Sequence, residues 1–426
     1  MQKIRSLTVM IVTLLGSSPV FATDGYISHG FGIKSEGIGG VGIALPQDGL
    51  AAATNPAGTA FVQDRADVGL AWFTPKRSAQ IVGNDLGSFG SADGTYDGNG
   101  TSNFFLPEFG YIKRLDQTLT AGVAVYGNGG MNTEYTNNPF TKFGGTGTAG
   151  INLEQLFISP SLAYKLNELN AVGLAVNFAY QQFSAKGLGA FKQASVSSSN
   201  LTDQGTDSST GWGVRLGWTG QVTPDLTLGA TWESKTKTGK FSKYSGLFAD
   251  GGSFDIPENY GVGLAYKFAP VWTFAADISE IKYGSIPSVA NPLSNLFLGN
   301  FLGASNGPGF GWKDISVVKL GVSYEYTPEL TLRAGYNHSG QPIPADQTFF
   351  NILAPGIVQN HVTLGGTLKT SKTGELSVAY THAFSNTVNG SGSIPPGAPN
   401  VGGFGGGNAN LTMSEDSLGV AYGWKF

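Results

Sequence analysis

Along most of the chain, apolar and polar residues alternate one by one. The last segment shows this best, because Leu418, Val420, Tyr422 and Trp424 fall on one face and the small or charged residues between them on the other. Successive side chains of a β-strand point to opposite faces, so the pattern predicts a strand with one apolar face.

Fourteen segments with this alternation follow one another from about residue 66. Most have the roughly 9–11 residues that a tilted strand needs to cross a bilayer. Short and long connections alternate between them, as in outer-membrane barrels with periplasmic turns and extracellular loops. The predicted strands are 66–74, 102–113, 119–128, 151–165, 170–184, 211–223, 226–236, 255–268, 271–282, 313–326, 330–338, 360–370, 374–384 and 413–426.

This pattern predicts an all-β fold, a 14-stranded antiparallel transmembrane β-barrel. The alternatives are a soluble β-sandwich and a β-solenoid. Fourteen long strands exceed the usual size of a sandwich, and the chain lacks the fixed short repeat of a solenoid. In hydrocarbon every backbone N–H and C=O must pair within the protein, and a closed sheet meets that condition.

The residues before the first predicted strand divide into two parts. Residues 1–22 have the features of a signal peptide: Lys3 and Arg5, then a short apolar run, then Val20-Phe21-Ala22 at a cleavage site. Residues 23–65 are rich in Gly, Ala and Ser and predict an N-terminal hatch. The lumen of a 14-stranded barrel is wide enough to hold such a hatch. The barrel is then expected to span residues 66–426.

Composition excludes several classes of function. Only 13% of residues are charged and the net charge is −4, so no nucleic-acid partner is expected. The chain has no cysteine, which rules out thiolate metal sites and Cys nucleophiles. No motif for a nucleotide and no metal-ligand cluster is present, so no cofactor and no metal are expected.

Several short stretches, taken in order, resemble the FadL/TodX-type outer-membrane transporters of hydrophobic compounds. No single stretch is decisive, but their spacing covers nearly the whole chain after residue 22. They are Gly30-Phe31-Gly32, Gly37-Ile38-Gly39-Gly40, Asp48, Asn55-Pro56-Ala57-Gly58, residues 158–166, Gly211-Trp212-Gly213, Trp232-Glu233-Ser234, Trp312-Lys313-Asp314, Leu332-Arg333-Ala334-Gly335-Tyr336 and Pro342.

The resemblance implies a monomeric barrel in the outer membrane of a Gram-negative bacterium, in contact with lipid and lipopolysaccharide. It implies passive uptake of long-chain fatty acids or aromatic hydrocarbons. Loops would capture the substrate, the lumen would bind it, and the hatch would rearrange. The substrate would then leave sideways, where a kinked third strand meets Asn55, Pro56 and Ala57 of the hatch.

The third predicted strand has residues that suit such a kink. Glycines interrupt a strand ladder and permit a bulge. The alternative is an ordinary glycine-rich strand end that leads into a loop. The candidate gate residues on this strand are Tyr126, Gly127, Asn128, Gly129 and Gly130.

The long connection 283–312 is apolar although it is expected outside the cell. An exposed apolar patch usually marks a binding surface, so Leu296, Phe297, Phe301 and Leu302 are the candidate capture residues. The alternative is self-packing of a long loop.

A partner for a carboxylate is harder to find. Family members that bind fatty acids have a basic residue shortly before the Lys-Asp pair of the tenth strand, and none occurs here between Tyr283 and Trp312. Lys186, after the fifth strand, meets a second basic position only loosely. Fatty acids are the first expectation, and a neutral aromatic or alkane hydrocarbon remains open.

Two other functional classes are weighed against transport. An outer-membrane enzyme would need one of His29, His338, His361 or His382 in a catalytic arrangement. A structural or adhesive barrel, or an open polar porin, would need no hatch. The sequence therefore favours a transporter and predicts that the protein is not an enzyme.

Overall fold

The computed structural model describes residues 23–397 and 403–426, so the predicted signal peptide lies outside the described residues. Fourteen long antiparallel strands form the wall, which confirms the predicted number and fold class. We number them β1 to β14. They are Arg65–Val82, Phe104–Arg114, Leu119–Tyr135, Ala149–Asn167, Asn170–Lys186, Asp207–Thr223, Leu226–Glu233, Asn259–Ala269, Trp272–Ile281, Ile315–Glu325, Leu330–Ser339, Asn360–Lys369, Gly374–Val388 and Asn408–Lys425.

The sheet closes on itself. Each strand pairs with the next, and β14 pairs with β1 from Asn408 opposite Val82 down to Lys425 opposite Arg65. The described chain therefore forms a barrel whose two terminal strands meet in one long seam.

The outward face of the barrel is apolar over a broad belt. On β1, Val68, Leu70 and Trp72 are exposed, and on β14 Leu418 and Val420 are exposed. Exposed apolar side chains at this density are unfavourable in water and suited to lipid tails.

Several strands extend further at their outer ends than the alternation predicts. β1 continues to Val82 instead of ending at 74, β3 continues to Tyr135, and β14 begins at Asn408. On these extensions the outward positions are polar, for example Lys76 and Gln80. The strands have left the apolar belt there, so the alternation reverses, with polar side chains outward and apolar ones inward, while the ladder continues.

The remaining elements are short. Among the described residues, no helix is long and apolar enough to cross a membrane. The α-helices are Ile33–Glu36, Ala249–Gly252 and Pro287–Ala290. The 3-10 helices are Ala51–Ala53, Pro56–Phe61, Gly87–Phe89, Thr141–Phe143, Gly189–Ala194, Ser198–Asn200, Ser242–Tyr244, Tyr283–Ser285, Leu293–Leu298, Ala345–Gln347 and Phe350–Ile352. The short strands are Thr23–Asp24, Ile27–Ser28, Gly94–Asp97 and Lys237–Thr238.

Residues 23–62, which we call the N-terminal segment, lie against the inward faces of strands all round the barrel. Inward glycines approach it so closely that an added Cβ would lie within 3 Å of it, among them five on β2, β5, β7, β11 and β12. Nearly all of the segment is buried. The five are Gly110, Gly173, Gly229, Gly335 and Gly365.

Candidate functional site

The ladder of the wall is interrupted between β2 and β3. The two strands pair only from Phe109 opposite Val125 to Arg114 opposite Thr120. Residues 104–108 of β2 pair with β1 on their other side, and none of them is paired with β3 in the described chain. We call the space between residues 101–108 and residues 126–132 the wall gap.

A bulge lies on the β3 edge of the wall gap. Gly127 and Gly129 pair with neighbouring residues of β4, so Asn128 is the extra residue, and its side chain donates to Gln155 over 3.3 Å. Tyr126 turns into the lumen, where its ring packs 4.6 Å from that of Phe31, between centroids. Backbone groups freed by such a bulge must be satisfied by another part of the protein.

The first residues of the N-terminal segment supply that cover. Ile27 pairs with Gly129, and the amide of Gly130 donates to the carbonyl of Tyr26 over 3.0 Å. A Cβ on Gly129 would lie only 1.9 Å from that carbonyl oxygen, so only glycine permits the approach. We call residues 23–31 the front part of the segment and residues 33–62 the rear part.

Asn55, Pro56 and Ala57 lie elsewhere. Asn55 caps the helix Pro56–Phe61, and its amide donates to the carbonyl of Trp218 on β6 over 2.9 Å. Pro56 and Ala57 pack against Gly173 of β5. The structure therefore places this tripeptide on β5 and β6, and the residues that cover the β3 bulge are Tyr26, Ile27 and Phe31. The sequence motif identifies a close approach to the wall but not which strands it meets.

Tyr26 also connects the front part to the loop region above β9 and β10. The Tyr283 hydroxyl donates to the carbonyl of Asp24 over 2.6 Å and accepts from the amides of Tyr26 and Ile27. The rings of Tyr283 and Trp312 lie 5.1 and 5.9 Å from the Tyr26 ring. Burial raises the pKa of Tyr283 and of Tyr26, so both hydroxyls stay protonated and Tyr283 remains a donor.

These aromatic residues were not among the sequence-based candidates. Tyr26 and Tyr283 are 257 positions apart, so no local pattern joins them. A signal was present, since Tyr283 and Trp312 bound the apolar connection whose capture role the sequence suggested.

Of the four candidate capture residues, two are buried and two are exposed. Leu296 and Leu302 are buried. Phe297 and Phe301 are exposed, and Leu298 between them is the most exposed at 76%. The surface of this loop is therefore an apolar patch of Phe297, Leu298 and Phe301, with Leu302 beneath it.

An apolar cavity of about 40 Å³ lies under this patch. It contains no charged side chain, and its one hydroxyl, of Ser288, donates to the carbonyl of Ser253. Its volume is smaller than the roughly 150 Å³ that holds a benzene ring in an engineered protein cavity. A hydrocarbon would therefore fit only after the loops shift. The lining is Ile151, Phe183, Leu188, Phe191, Leu247, Phe248, Ser288, Leu302, Pro308, Gly309, Phe310, Phe350 and Leu353.

Lys186 lies away from the apolar cavity. Its side chain is exposed at the end of β5 and borders a separate polar cavity of about 160 Å³, which includes Glu134 and Asn152. Ile151 of β4 borders both cavities. The ammonium group forms no ion pair with any residue the structure describes.

The histidines contact an aspartate, an asparagine and one another. His382 Nδ1 lies 2.8 Å from Asp416 Oδ1, and His338 Nδ1 lies 2.8 Å from Asn360 Oδ1. The buried ring of His361 stacks on that of His29 at 5.7 Å. Within residues 23–397 and 403–426, no group of three or more His, Asp or Glu is placed to hold a metal.

Known structures share this architecture. The Pseudomonas putida toluene transporter TodX superposes with a TM-score of 0.70 at 20% identity, over 93% of this chain and 99% of that one. A Pseudomonas aeruginosa FadL homologue gives 0.73 at 16%, over 94% and 100%. The Ralstonia pickettii toluene transporter TbuX gives 0.64 at 19%, over 93% and 99%. At these identities the similarity shows the fold.

Sequence comparison shows the family. No curated protein sequence matches the chain. The family model described as outer membrane protein transport protein (OMPP1/FadL/TodX) matches residues 20–394. The chain therefore belongs to this family of transport channels, and it is a transporter of hydrophobic compounds in the outer membrane of Gram-negative bacteria.

Proposed function

We propose that the protein takes up neutral hydrophobic compounds by passive diffusion and releases them sideways through the wall gap. The observation that supports this most directly is the apolar cavity beneath an exposed apolar patch. Moving apolar surface out of water drives the first step, so no energy source is needed.

The chemistry of the cavity favours a neutral ligand over an anion. A carboxylate in an apolar site needs a charged partner or strong hydrogen-bond donors. The only polar side chain in the lining is Ser288, and its hydroxyl is already used by Ser253. TodX and TbuX are toluene transporters, which agrees with this class of ligand.

Contacts between the loop and the front part suggest how binding opens the route. A ligand that widens the cavity would push on the loop between β9 and β10, whose ends include Tyr283 and Trp312. Those two residues hold Tyr26, and Tyr26 pairs with β3 at the wall gap. Displacement of the front part would then uncover the gap.

Long-chain fatty acids are the second candidate. The observation that favours them is Lys186, a cation with no acidic partner in the described chain, beside a polar cavity on the far side of Ile151. A fatty acid would have to place its carboxylate near Lys186 while its chain reaches the apolar side.

Uptake by cells that lack their own transporters of this kind separates the candidates. We expect toluene uptake with the wild-type protein, loss of most of it with Leu302→Asn in the cavity, and no change with Phe89→Asn, an exposed residue of another loop. Oleate uptake that falls with Lys186→Ala, without toluene uptake, would establish the second candidate. Uptake of neither compound would reject the proposal.

A further inference from the structure

The upper part of the wall gap contains an arginine that no strand pattern requires. Arg77 belongs to β1 and points into the barrel, with only 2% of its surface exposed. Its position lies beyond the last β1–β2 pair, Phe73 opposite Phe104, where β1 pairs instead with the short strand Gly94–Asp97 and the amide of Gly98 donates to the Arg77 carbonyl.

The guanidinium group of Arg77 reaches both edges of the wall gap. One Nη donates to the carbonyl of Asn132 on β3 over 2.6 Å and to its side-chain Oδ1 over 3.0 Å. The other Nη donates to the carbonyl of Thr101, on the β2 side. Where the ladder is broken, the side chain thus supplies the donors that a neighbouring strand would otherwise supply.

No acidic group of the described chain is in direct contact with this buried charge, although Glu415, Asp97 and Glu134 attract it from a greater distance. Arg77 forms no ion pair with the described residues, and its Nε has no hydrogen-bond partner there. The ring of Phe104 lies 6.0 Å from Cζ. A buried cation whose direct hydrogen bonds all go to uncharged oxygens is less stable than one in a complete ion pair.

The contact between Arg77 and Asn132 separates two cavities. One lies inside the barrel, against the front part, and is bordered by Tyr26, Gly130 and Arg77. The other is the polar cavity at Lys186, which is bordered by Thr101 and Asn132. Asn132 borders both cavities, and beyond it the amide of Gly100 donates to the Glu134 carbonyl of β3, so a path between the cavities runs beside the guanidinium group.

We propose that Arg77 is the latch of the wall gap, and that a compound leaves through the wall only when its hydrogen bonds to Asn132 and Thr101 are broken. This inference rests on the proposed lateral exit. The front part covers the lower part of the gap from inside, and Arg77 ties the two edges together above it.

The test compares Arg77→Met with Arg333→Met. Arg333 of β11 is a matched control, because it also donates only to uncharged oxygens, here the side-chain oxygens of Gln47 and Thr367, and has no ion pair in the described chain. The chain has no cysteine, so nitroxide labels can be placed at Lys76→Cys on β1 and Glu154→Cys on β4, one on each side of the gap.

We expect longer and broader label distances for Arg77→Met and unchanged ones for Arg333→Met. Uptake should rise by roughly tenfold, the population change that corresponds to ~1.4 kcal/mol, if exit limits the rate. Arg77→Lys keeps the charge but loses the planar guanidinium group, so its label distances should lie between those of the wild type and of Arg77→Met. This variant takes the place of Arg77→Met if the latter does not fold.

The two readouts separate the latch from the route. Unchanged label distances in both Arg77 variants would overturn the latch, whatever happens to uptake. Longer distances with unchanged uptake would support the latch and count against lateral exit as the limiting step. Equal changes in the Arg77 and Arg333 variants would show a general loosening and overturn the proposal.

Discussion

The front and rear parts of the N-terminal segment are held in place by different physics. The rear part is bound by buried charge and by backbone contact: Lys34 pairs with Glu375 of β13, and the amide of Gly49 donates to Asp67 of β1 over 2.8 Å. The front part is held mainly by hydrogen bonds and by aromatic packing through Tyr26 and Tyr283, and among the described residues its one ion pair joins Asp24 to Lys319 of β10 at 3.6 Å.

This difference indicates which part of the segment can move. Breaking one side of a buried ion pair leaves an uncompensated charge and is strongly unfavourable. Exchanging neutral hydrogen bonds costs about 1 kcal/mol each. Displacing the front part, whose ion pair is the longer one, should therefore cost less free energy than displacing the rear part.

Among the variants of the rear part, we expect the largest loss of stability for Glu375→Ala. Glu375 contacts three cations, and its removal leaves the buried Lys34 without an ion-pair partner in the described chain, whereas Arg65 keeps Asp67. We expect a loss of about 3–5 kcal/mol in unfolding free energy, measured by denaturation of the barrel in detergent. Glu280→Ala, at a half-exposed pair with Lys282, should cost less than about 1 kcal/mol. Equal losses would mean that burial of the ion network contributes nothing.

Gly335→Ala tests the close backbone approach of the rear part. A Cβ there would lie 2.1 Å from the amide nitrogen of Gly39, so the segment or β11 must shift. We expect a loss of about 1–3 kcal/mol in the same measurement. Gly366→Ala, on β12, meets no atom closer than 3.8 Å and should be neutral. A neutral Gly335→Ala would show that the segment packs more loosely than described.

Tyr283→Phe should affect only the front part. It removes one donor and one acceptor at Asp24, Tyr26 and Ile27 and leaves the ring packing in place. Hydrogen exchange at the amides of Tyr26 and Ile27 should accelerate by roughly tenfold, which corresponds to ~1.4 kcal/mol of local stability. Global unfolding should change little.

Tyr244→Phe is the control for that experiment, since its hydroxyl bonds within the loops, to Gly205 and Ala185. It should leave exchange in the front part unchanged. If Tyr283→Phe lowered global stability as much as Glu375→Ala does, the distinction between a mobile front and a fixed rear would be wrong.

The barrel was predictable because its cause is local. Alternation along each strand reflects the two environments of the wall, so segments such as 119–128 and 413–426 stand out without any tertiary information. The alternation does not predict the outer ends of β1 and β3, because the environment of these residues differs from that in the apolar belt. Above the apolar belt the outward face is polar and the inward face apolar, the reverse of the pattern in the belt, and pairing decides where those strands end.

The site was predictable only in part. The glycines of β3 and the apolar loop can be recognised in the sequence because bulges and apolar surfaces have characteristic compositions. The residues that contact them cannot be recognised there, since Tyr26 contacts Tyr283 and Gly130 only after the barrel closes. The alternation predicts that the first strand ends at 74, so it does not include Arg77. An arginine at an inward position of a strand would otherwise be a recognisable signal.

Glu375 has a consequence for how the molecule is assembled. Its three cations come from the N-terminal segment, from β1 and from β14, and the ammonium of Lys425 lies 2.9 Å from its second oxygen. All three contacts form only when β1 and β14 have paired and the N-terminal segment lies inside the barrel. A barrel that closes without the segment, or a segment that docks before closure, leaves charged groups without partners. This one carboxylate therefore favours the fully assembled barrel as the end point of biogenesis.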